Sequence, residues 1–263
     1  MIEKPPVISL RDVSRRFRST RSEIYALSDI NLDVREGEFV TVVGPSGCGK
    51  STVLNIVVGL LEPTAGARLF RGQPTSGINL EIGYVTQQDN LFPWRTVLDN
   101  VTFALEMRRI GTAKSRRDRA MELIERVGLK GFEHHYRHEL SGGMRQRVNI
   151  IRALAYNPKV ILLDEPFGPL DAQTRLQLQD LLLKLWVDRE GTTLVFITHD
   201  LAEAVALGDR VVVMTARPGR VREIVNVDLP RPRDIYTIHT DPHFRRIYDR
   251  IWQHLADEMR VAS

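Results

Sequence analysis

Short apolar runs and amphipathic stretches alternate along most of the chain. Four runs have the length and β-branched content of strands buried in a parallel sheet, namely residues 39–43, 160–163, 192–198 and 211–214. Apolar residues recur at helical spacing in four longer stretches, which are residues 97–107, 118–127, about 141–156 and the segment that begins at 168–171. This alternation of strands and helices predicts an α/β fold.

A second group of short strands predicts an additional, antiparallel sheet. These strands are separated by turn-forming residues and cover residues 7–13, 30–34, 67–70 and 82–85. The first two flank a polar, arginine-rich segment that we expect to be a turn. The four strands would then form an antiparallel β subdomain beside the parallel core.

The same pattern divides the chain into a main domain and a tail. We expect the main domain to span residues 7–230, with a helical subdomain at about 90–158. Residues 231–263 form the tail, and its amphipathic segment 244–259 predicts one further helix.

Composition narrows the class of protein only slightly. One cysteine in 263 residues excludes an internal disulfide and is compatible with a reducing compartment. The polar start at residues 1–6 and the absence of a long apolar run in the sequence predict a cytosolic or peripheral protein. The net charge of +4 suits an anionic ligand, a membrane surface or nucleic acid without choosing among them.

A glycine-rich loop follows the first buried strand and precedes a helix. Its pattern G-x-x-x-x-G-K-S is that of the Walker A loop, formed by Gly44, Pro45, Ser46, Gly47, Cys48, Gly49, Lys50, Ser51 and Thr52. Backbone N–H groups in such a loop bind a polyphosphate, together with the helix N-terminus. Lys50 should reach the β- and γ-phosphates and Ser51 should bind Mg²⁺, whereas Cys48 occupies a free position. The loop predicts nucleotide binding.

Acidic and histidine side chains follow two of the buried strands. Asp164 and Glu165 come after residues 160–163, and His199 comes after residues 192–198, so all three should lie at one edge of the sheet. Asp164 can hold Mg²⁺ and Glu165 can polarise an attacking water, although tandem acids also cap helices. His199 can contact a γ-phosphate or can be purely structural.

Other side chains near this edge have less specific patterns. The amide of Gln87 can bind Mg²⁺ or orient water, and Phe17 can stack on adenine, with Tyr25 as the second candidate. Phe92 and Trp94 are candidate surface anchors for a partner. Taken singly, residues of these types serve more often in packing than in binding. His134, His135 and His138 have no acidic or cysteine companions at ligand spacing, so we expect no metal there.

The segment Leu140-Ser141-Gly142-Gly143-Met144 opens another helix. A serine followed by two glycines at a helix start predicts a second anion-binding terminus. A protein with one Walker loop needs a second such site only if it serves the nucleotide of another subunit.

These motifs, in this order, resemble the ATP-binding subunit of ABC transporters. The resemblance covers residues 7–227, and LFPWRTVLDNV and THDLAEAVALGDRVVVMTARPGRV are similar to importers of nitrate, sulfonates and taurine. It implies a RecA-like P-loop NTPase core with an antiparallel β subdomain and a helical subdomain. Two copies would pack head to tail, so that Ser141, Gly142 and Gly143 of one close over ATP held by the Walker loop of the other.

The resemblance also assigns roles to single residues. Phe17 would stack on adenine, Asp164 would support Mg²⁺, Glu165 would act on the lytic water, and His199 would contact the γ-phosphate. Gln87 would sense Mg²⁺ and couple to the membrane partner, and Asp171 would line the dimer interface. In the family's LSGG segment Met144 replaces the usual glutamine. In the segment 168–171 Gly168 and Pro169 replace a more usual Ser-Ala. Two polar contacts are therefore lost.

The implied partners are transmembrane permease subunits at the cytoplasmic face of the inner membrane and a periplasmic or lipid-anchored solute-binding protein. The alternative is a soluble ABC ATPase that acts on nucleic acid, which the basic runs at residues 11–21, 108–119 and 231–233 suggest. The chain has neither a long coiled coil nor a second cassette, so we expect no nucleic-acid partner. A P-loop kinase would have no use for the LSGG segment.

Overall fold

The computed structural model describes residues 6–18, 23–187, 189 and 191–262. Arg21 of the first basic run, the start of the chain and its last residue lie outside these ranges. Six strands form a sheet in the order β10-β9-β3-β8-β7-β6. They are β3 (Phe39–Val43), β6 (Ile82–Val85), β7 (Val160–Asp164), β8 (Thr193–Ile197), β9 (Arg210–Met214) and β10 (Val221–Asn226). All neighbours are parallel except β9 and β10.

A four-stranded antiparallel sheet has the order β2-β1-β4-β5. Its strands are β1 (Pro6–Arg18), β2 (Glu23–Arg35), β4 (Ala65–Phe70) and β5 (Gln73–Pro74). The antiparallel β subdomain is therefore present, but two details of the prediction are wrong.

Residues 14–18 of the arginine-rich segment are part of β1 and not of a turn. There Arg16 pairs with Tyr25 and Phe17 with Ile24 of β2. Most side chains of this extension are at least partly exposed, so the apolar alternation that marks a half-buried strand stops at Val13 although the backbone ladder continues.

The second error concerns residues 82–85, which were expected in the antiparallel sheet. This strand, β6, is an edge of the parallel sheet, where Tyr84 pairs with Leu162 of β7. The reason is burial: Ile82 and Val85 contribute to the cores on opposite faces of the six-stranded sheet. A four-residue apolar run does not reveal which sheet it joins.

Seven α-helices lie within the described residues. They are α1 (Lys50–Val58), α2 (Val97–Met107), α3 (Ala113–Arg126), α4 (Gly142–Leu154), α5 (Ala172–Val187), α6 (Leu201–Leu207) and α7 (Pro242–Ala262). Helix α3 begins five residues before the predicted start, because Thr112 and Ser115 form a capping box ahead of the apolar stripe. Asp171 accepts a hydrogen bond from the N–H of Thr174, so α5 begins after the 168–171 segment and not within it.

The parallel sheet is covered on both faces. Val40 and Val42 of β3 face a core shared with α1 and the antiparallel sheet. Phe39 and Val43 face the opposite core, to which helices α2 to α7 contribute. Since both faces are buried, the chemistry of the molecule has to be at the strand ends.

Candidate active site

The Walker loop connects β3 to α1 in a backbone conformation that requires glycine. Gly49 has a φ of 104°, and a Cβ added there would lie 2.6 Å from Cδ2 of Leu27. Helix α1 begins directly after Gly49 with Lys50. Nζ of Lys50 donates to the carbonyl oxygens of Gly44 (2.9 Å) and Pro45 (3.1 Å), so the charge lies across the mouth of the loop.

A cavity of about 420 Å³ opens in front of this loop. Predicted site residues that line it are Ser46, Gly47, Gly49, Lys50, Ser51, Thr52, Gln87 and Glu165. Cys48 faces away from it and is buried, in contact with the core beneath the loop. Burial raises the pKa of the Cys48 thiol, so it stays protonated at neutral pH.

Asp164 lies next to Ser51, which lines this cavity. Oγ of Ser51 donates to Oδ1 of Asp164 at 3.0 Å, and the hydroxyl of Tyr84 lies 3.4 Å from Oδ2. Burial raises the pKa of Asp164, and the nearby Glu165 adds to this effect, while the hydrogen bond from Ser51 opposes it. Tyr84 was not identified from the sequence; its only signal is its place at the end of a strand three residues before Gln87.

The hydroxyl of Ser51 and the carboxylate of Asp164 are thus in contact, and the amide of Gln87 lines the same cavity as Ser51. These are hard oxygen donors of the kind that Mg²⁺ prefers, and protein-bound Mg²⁺ is usually held by one or two carboxylates together with phosphate oxygens and water. The side chains of Ser51, Asp164 and Gln87 fit such a site. Among the described residues no three His, Cys, Asp or Glu side chains are grouped to hold a metal by themselves, the histidines of residues 134–138 included.

Glu165 and His199 meet across the ends of β7 and β8. Nδ1 of His199 lies 3.1 Å from Oε2 of Glu165. The N–H of Glu165 bonds to the carbonyl oxygen of Ile197 at 3.0 Å, and Glu165 has a φ of 44°, a conformation that non-glycine residues rarely adopt. Such local strain persists where the surrounding structure enforces it, as it does at many active sites.

A larger cleft of about 890 Å³ extends from this pair to the start of α4. Gln87, Glu165, His199, Gly142 and Gly168 all line it. Gln87 and Glu165 thus border both cavities and lie between the Walker loop and the start of α4.

Residues 141–143 are separate, within one chain, from the cavity in front of the Walker loop, which we call the Walker cavity. Ser141 caps α4 by accepting a hydrogen bond from the N–H of Met144 at 3.3 Å, and Gly142 and Gly143 form its first turn. None of the three lines the cavity in front of Lys50. The side chain of Met144 packs against the core instead of presenting a polar group.

Phe17 and Tyr25, the candidates for stacking on adenine, also lie outside the Walker cavity. Phe17 is 40% exposed at the end of β1, and the guanidinium of Arg15 lies 4.8 Å from its ring centroid. Tyr25 is similarly exposed, with Arg16 at 5.6 Å. Phe17 is therefore accessible and not a core aromatic.

Comparison with known proteins identifies the family. The family model described as "ABC transporter" matches residues 27–168, more than half of the chain. The chain belongs to this family. An ABC transporter ATP-binding protein of Methanocaldococcus jannaschii, named as uncharacterized, is 49% identical over 96% of this chain and 92% of its own length. The aliphatic sulfonates import ATP-binding protein SsuB of Bacillus licheniformis is 43% identical over 93% of this chain and 92% of its own.

A solved structure agrees with the fold. A dimeric ATP-binding cassette in a post-hydrolysis state, bound to ADP and phosphate, is 37% identical to this ABC protein, with a TM-score of 0.76. The match covers 85% of this chain and all of that one. The resemblance and the P-loop fold class are confirmed, and the protein is an ABC-type ATPase. No helix in the described part of the chain combines the length and the apolar character needed to cross a bilayer.

Proposed function

We propose that this ABC ATPase powers import of a small anion, of the sulfonate, taurine or nitrate class, through separate transmembrane subunits. One observation carries the proposal: Lys50, Asp164, Glu165 and His199 lie at one edge of the parallel sheet, whereas none of residues 141–143 of the same chain lines the cavity in front of Lys50. Each protomer then holds two half-sites. A head-to-tail dimer would complete both, with Ser141, Gly142 and Gly143 of one copy closing over ATP on the other.

In this dimer the chain's own residues perform distinct steps. Backbone N–H groups of residues 44–52 and the charge of Lys50 hold the phosphates, and Phe17 stacks on the adenine. Glu165 accepts the proton of the attacking water, and His199 orients Glu165 and contacts the γ-phosphate. Mg²⁺, held by Ser51, Asp164 and Gln87, would neutralise charge that develops on the phosphates. Asp171 would line the interface between the copies.

The membrane partner would dock beside Gln87. Trp94 is 71% exposed, and its ring lies 5.4 Å from that of Phe92, which packs edge-on against Phe103. Phe92 is thus half buried and supports Trp94, which is the anchor exposed to a partner. We place the chain at the cytoplasmic face of the membrane, with a solute-binding protein on the other side.

The division into residues 7–230 and 231–263, with a helical subdomain at about 90–158, is part of this proposal. A conformational change that follows hydrolysis would begin in the parallel core and reach the helical subdomain through Gln87. The substrate class rests on relatives named as sulfonate importers.

In each of the three basic runs one arginine is paired with a carboxylate, which argues against action on nucleic acid. Arg11 pairs with Asp33, Arg119 with Glu122, and Arg231 with Asp209. Ion pairs of this kind reduce the field that a phosphate backbone would need.

The test is Glu165→Gln, with Glu122→Gln on the exposed face of α3 as control. We expect Glu165→Gln to bind ATP, to lose at least about 100-fold in turnover and to elute as an ATP-dependent dimer. Wild-type turnover in this variant would remove Glu165 from its role. Full turnover by protein that stays monomeric would contradict the shared site.

Uptake of labelled sulfonate, taurine and nitrate by proteoliposomes containing the permease would decide the substrate.

A further inference from the structure

The turn between β9 and β10 lies directly against the Walker loop. The N–H of Gly219 donates to the carbonyl oxygen of Ala26 at 2.9 Å, and the N–H of Ser28 donates to that of Gly219 at 3.0 Å. A Cβ added at Gly219 would lie 2.1 Å from the carbonyl oxygen of Cys48. The backbone of the turn is therefore held between β2 and the loop, next to the cavity in front of Lys50.

Arg217 extends from this turn into the site. Its NH2 and Nε groups donate to the carbonyl oxygen of Gly47 at 3.0 and 3.3 Å, and its side chain lines the Walker cavity with Lys50 and Thr52. A guanidinium carries five N–H donors, so these two bonds leave others for a second acceptor. Within the described residues Arg217 is not joined to a carboxylate.

The charge of Arg217 acts on the loop itself. Burial raises the pKa of the Cys48 thiol, and the positive charges of Lys50 and Arg217 both oppose that rise. Two cations thus act on the short loop that is expected to bind phosphates.

The C-terminal helix α7 reaches this turn. Oε2 of Glu258 accepts a hydrogen bond from the N–H of Ala216 at 2.9 Å, and Oε1 pairs with Arg222 on β10. The helix is anchored by the buried side chains of Ile251 and Leu255. Glu258 therefore fixes the residue that immediately precedes Arg217.

We propose that Arg217 is a second cation of the nucleotide site, acting on the phosphate groups beside Lys50, and that α7 holds it there through Glu258. The proposal rests on the proposed role of residues 44–52 in binding ATP. Its ligand is the phosphate chain of a nucleoside di- or triphosphate. Because the contribution is electrostatic, a lysine at position 217 should largely replace the arginine, whereas a neutral hydrogen-bonding side chain should not.

Calorimetric titration with ADP tests the role of the charge without hydrolysis. We expect Arg217→Gln to raise the Kd for ADP about tenfold at low salt, with a smaller effect at high salt, and Arg217→Lys to stay within about twofold of wild type. Arg220→Gln, on the same turn but paired with Asp29, is the matched control and should not change the Kd. Wild-type affinity in Arg217→Gln, or equal weakening by lysine and glutamine, would overturn the proposal.

Lys50→Ala in the same titration separates this proposal from the function of the loop. Near-complete loss of ADP binding in Lys50→Ala is expected, and retained binding would overturn the site itself, whatever Arg217 does.

The role of α7 is tested by Glu258→Ala against Asp257→Ala. Both residues pair with Arg222, but only Glu258 contacts Ala216. We expect Glu258→Ala alone to raise the Kd about threefold, and Glu258→Gln, which keeps an acceptor, to bind as wild type. Melting temperatures of all variants control for folding. Equal Kd values for Glu258→Ala and Asp257→Ala would overturn the role of the helix.

Discussion

Nδ1 of His199 lies 3.1 Å from Oε2 of Glu165, across the ends of neighbouring parallel strands. The carboxylate is the less exposed partner, with 23% of its side-chain surface accessible against 55% for the imidazole. The histidine can therefore contact a phosphate in the cleft while it orients the carboxylate. Two side chains 34 positions apart in the chain form one unit because β7 and β8 are adjacent in the sheet.

Substitution of His199 by alanine should separate hydrolysis from binding. Loss of the contact with Glu165 and of the proposed contact with the γ-phosphate should reduce kcat by about 100-fold, whereas the Kd for ADP should stay within about twofold because ADP has no γ-phosphate. Steady-state phosphate release and ADP titration measure the two quantities. His239→Ala, exposed in the tail, is the control. A parallel rise in the Kd for ADP would indicate a structural role.

Substitution of Asp164 by asparagine should change the demand for Mg²⁺. The carboxylate bonded to Ser51 is the charged oxygen donor in the proposed metal site, so Asp164→Asn should raise the Mg²⁺ concentration for half-maximal activity by about tenfold or more. Because burial raises the pKa of Asp164, the wild-type requirement for Mg²⁺ should also increase as pH falls, before ordinary aspartates protonate. An unchanged Mg²⁺ dependence in the variant would exclude Asp164 as a ligand.

The parts of this site that could be predicted from the sequence are those determined by local patterns. A buried strand followed by Asp164 and Glu165, or by the glycine loop, places its side chains at the strand end whichever neighbours it has. The sheet to which residues 82–85 belong depends on contacts distant in sequence, and that prediction was wrong. Tyr84 belongs to no motif, and Arg217, although it lies within the stretch THDLAEAVALGDRVVVMTARPGRV, shows no local pattern of a phosphate ligand. The pairing of distant strands brings both residues to the site.

Glu203 should make the stability of the protein depend on pH. It is buried at the start of α6, accepts a hydrogen bond from Nε2 of Gln179 at 2.9 Å, and faces Asp200 and Arg175. Burial raises the pKa of Glu203 from 4.5 to about 7. The folded state therefore holds a proton that the unfolded state releases, and this stabilisation is complete below pH 4.5 and is lost as pH rises through about 7.

Glu203→Gln should remove this dependence. A neutral amide keeps an oxygen for Gln179. The unfolding free energy of the variant minus that of wild type should therefore rise by up to about 3 kcal/mol between pH 4.5 and pH 8. Urea denaturation across this pH range measures the change, and Glu122→Gln on the exposed face of α3 is the control. Parallel stability curves for wild type and Glu203→Gln would contradict the prediction.

Asp89→Asn should loosen the connection between the Gln87 segment and the helical region. Arg137 donates to both oxygens of Asp89 at 2.7 and 3.1 Å, and Nε of Arg145 on α4 donates at 3.1 Å. Burial alone would raise the pKa of Asp89, but the hydrogen bond from Arg137 and the charges of both arginines lower it. We expect Asp89→Asn to show faster hydrogen exchange in residues 133–146 and an unchanged affinity for ADP.

Asp180→Asn on α5 is the control and should leave this exchange unchanged. Unchanged exchange in Asp89→Asn would mean that the arginines hold α4 by other contacts.

Arg233→Met should detach the tail from α6. The side chain of Arg233 is 1% exposed, and its NH1 donates to the carbonyl oxygens of Val205, Ala206 and Gly208 at the end of that helix. Burial lowers the pKa of Arg233 to about 10, so the guanidinium remains charged at neutral pH.

Methionine fills a similar volume but leaves these buried carbonyl oxygens without donors, which should lower the unfolding free energy by about 3 kcal/mol. Denaturant titration measures the loss, with exposed Arg245→Met on α7 as control. Because α6 begins two residues after His199, kcat should fall as well, while ADP affinity falls only if the movement spreads through α7 to Glu258. A stability within about 0.5 kcal/mol of wild type would show that the apolar contacts of α7 hold the tail without Arg233.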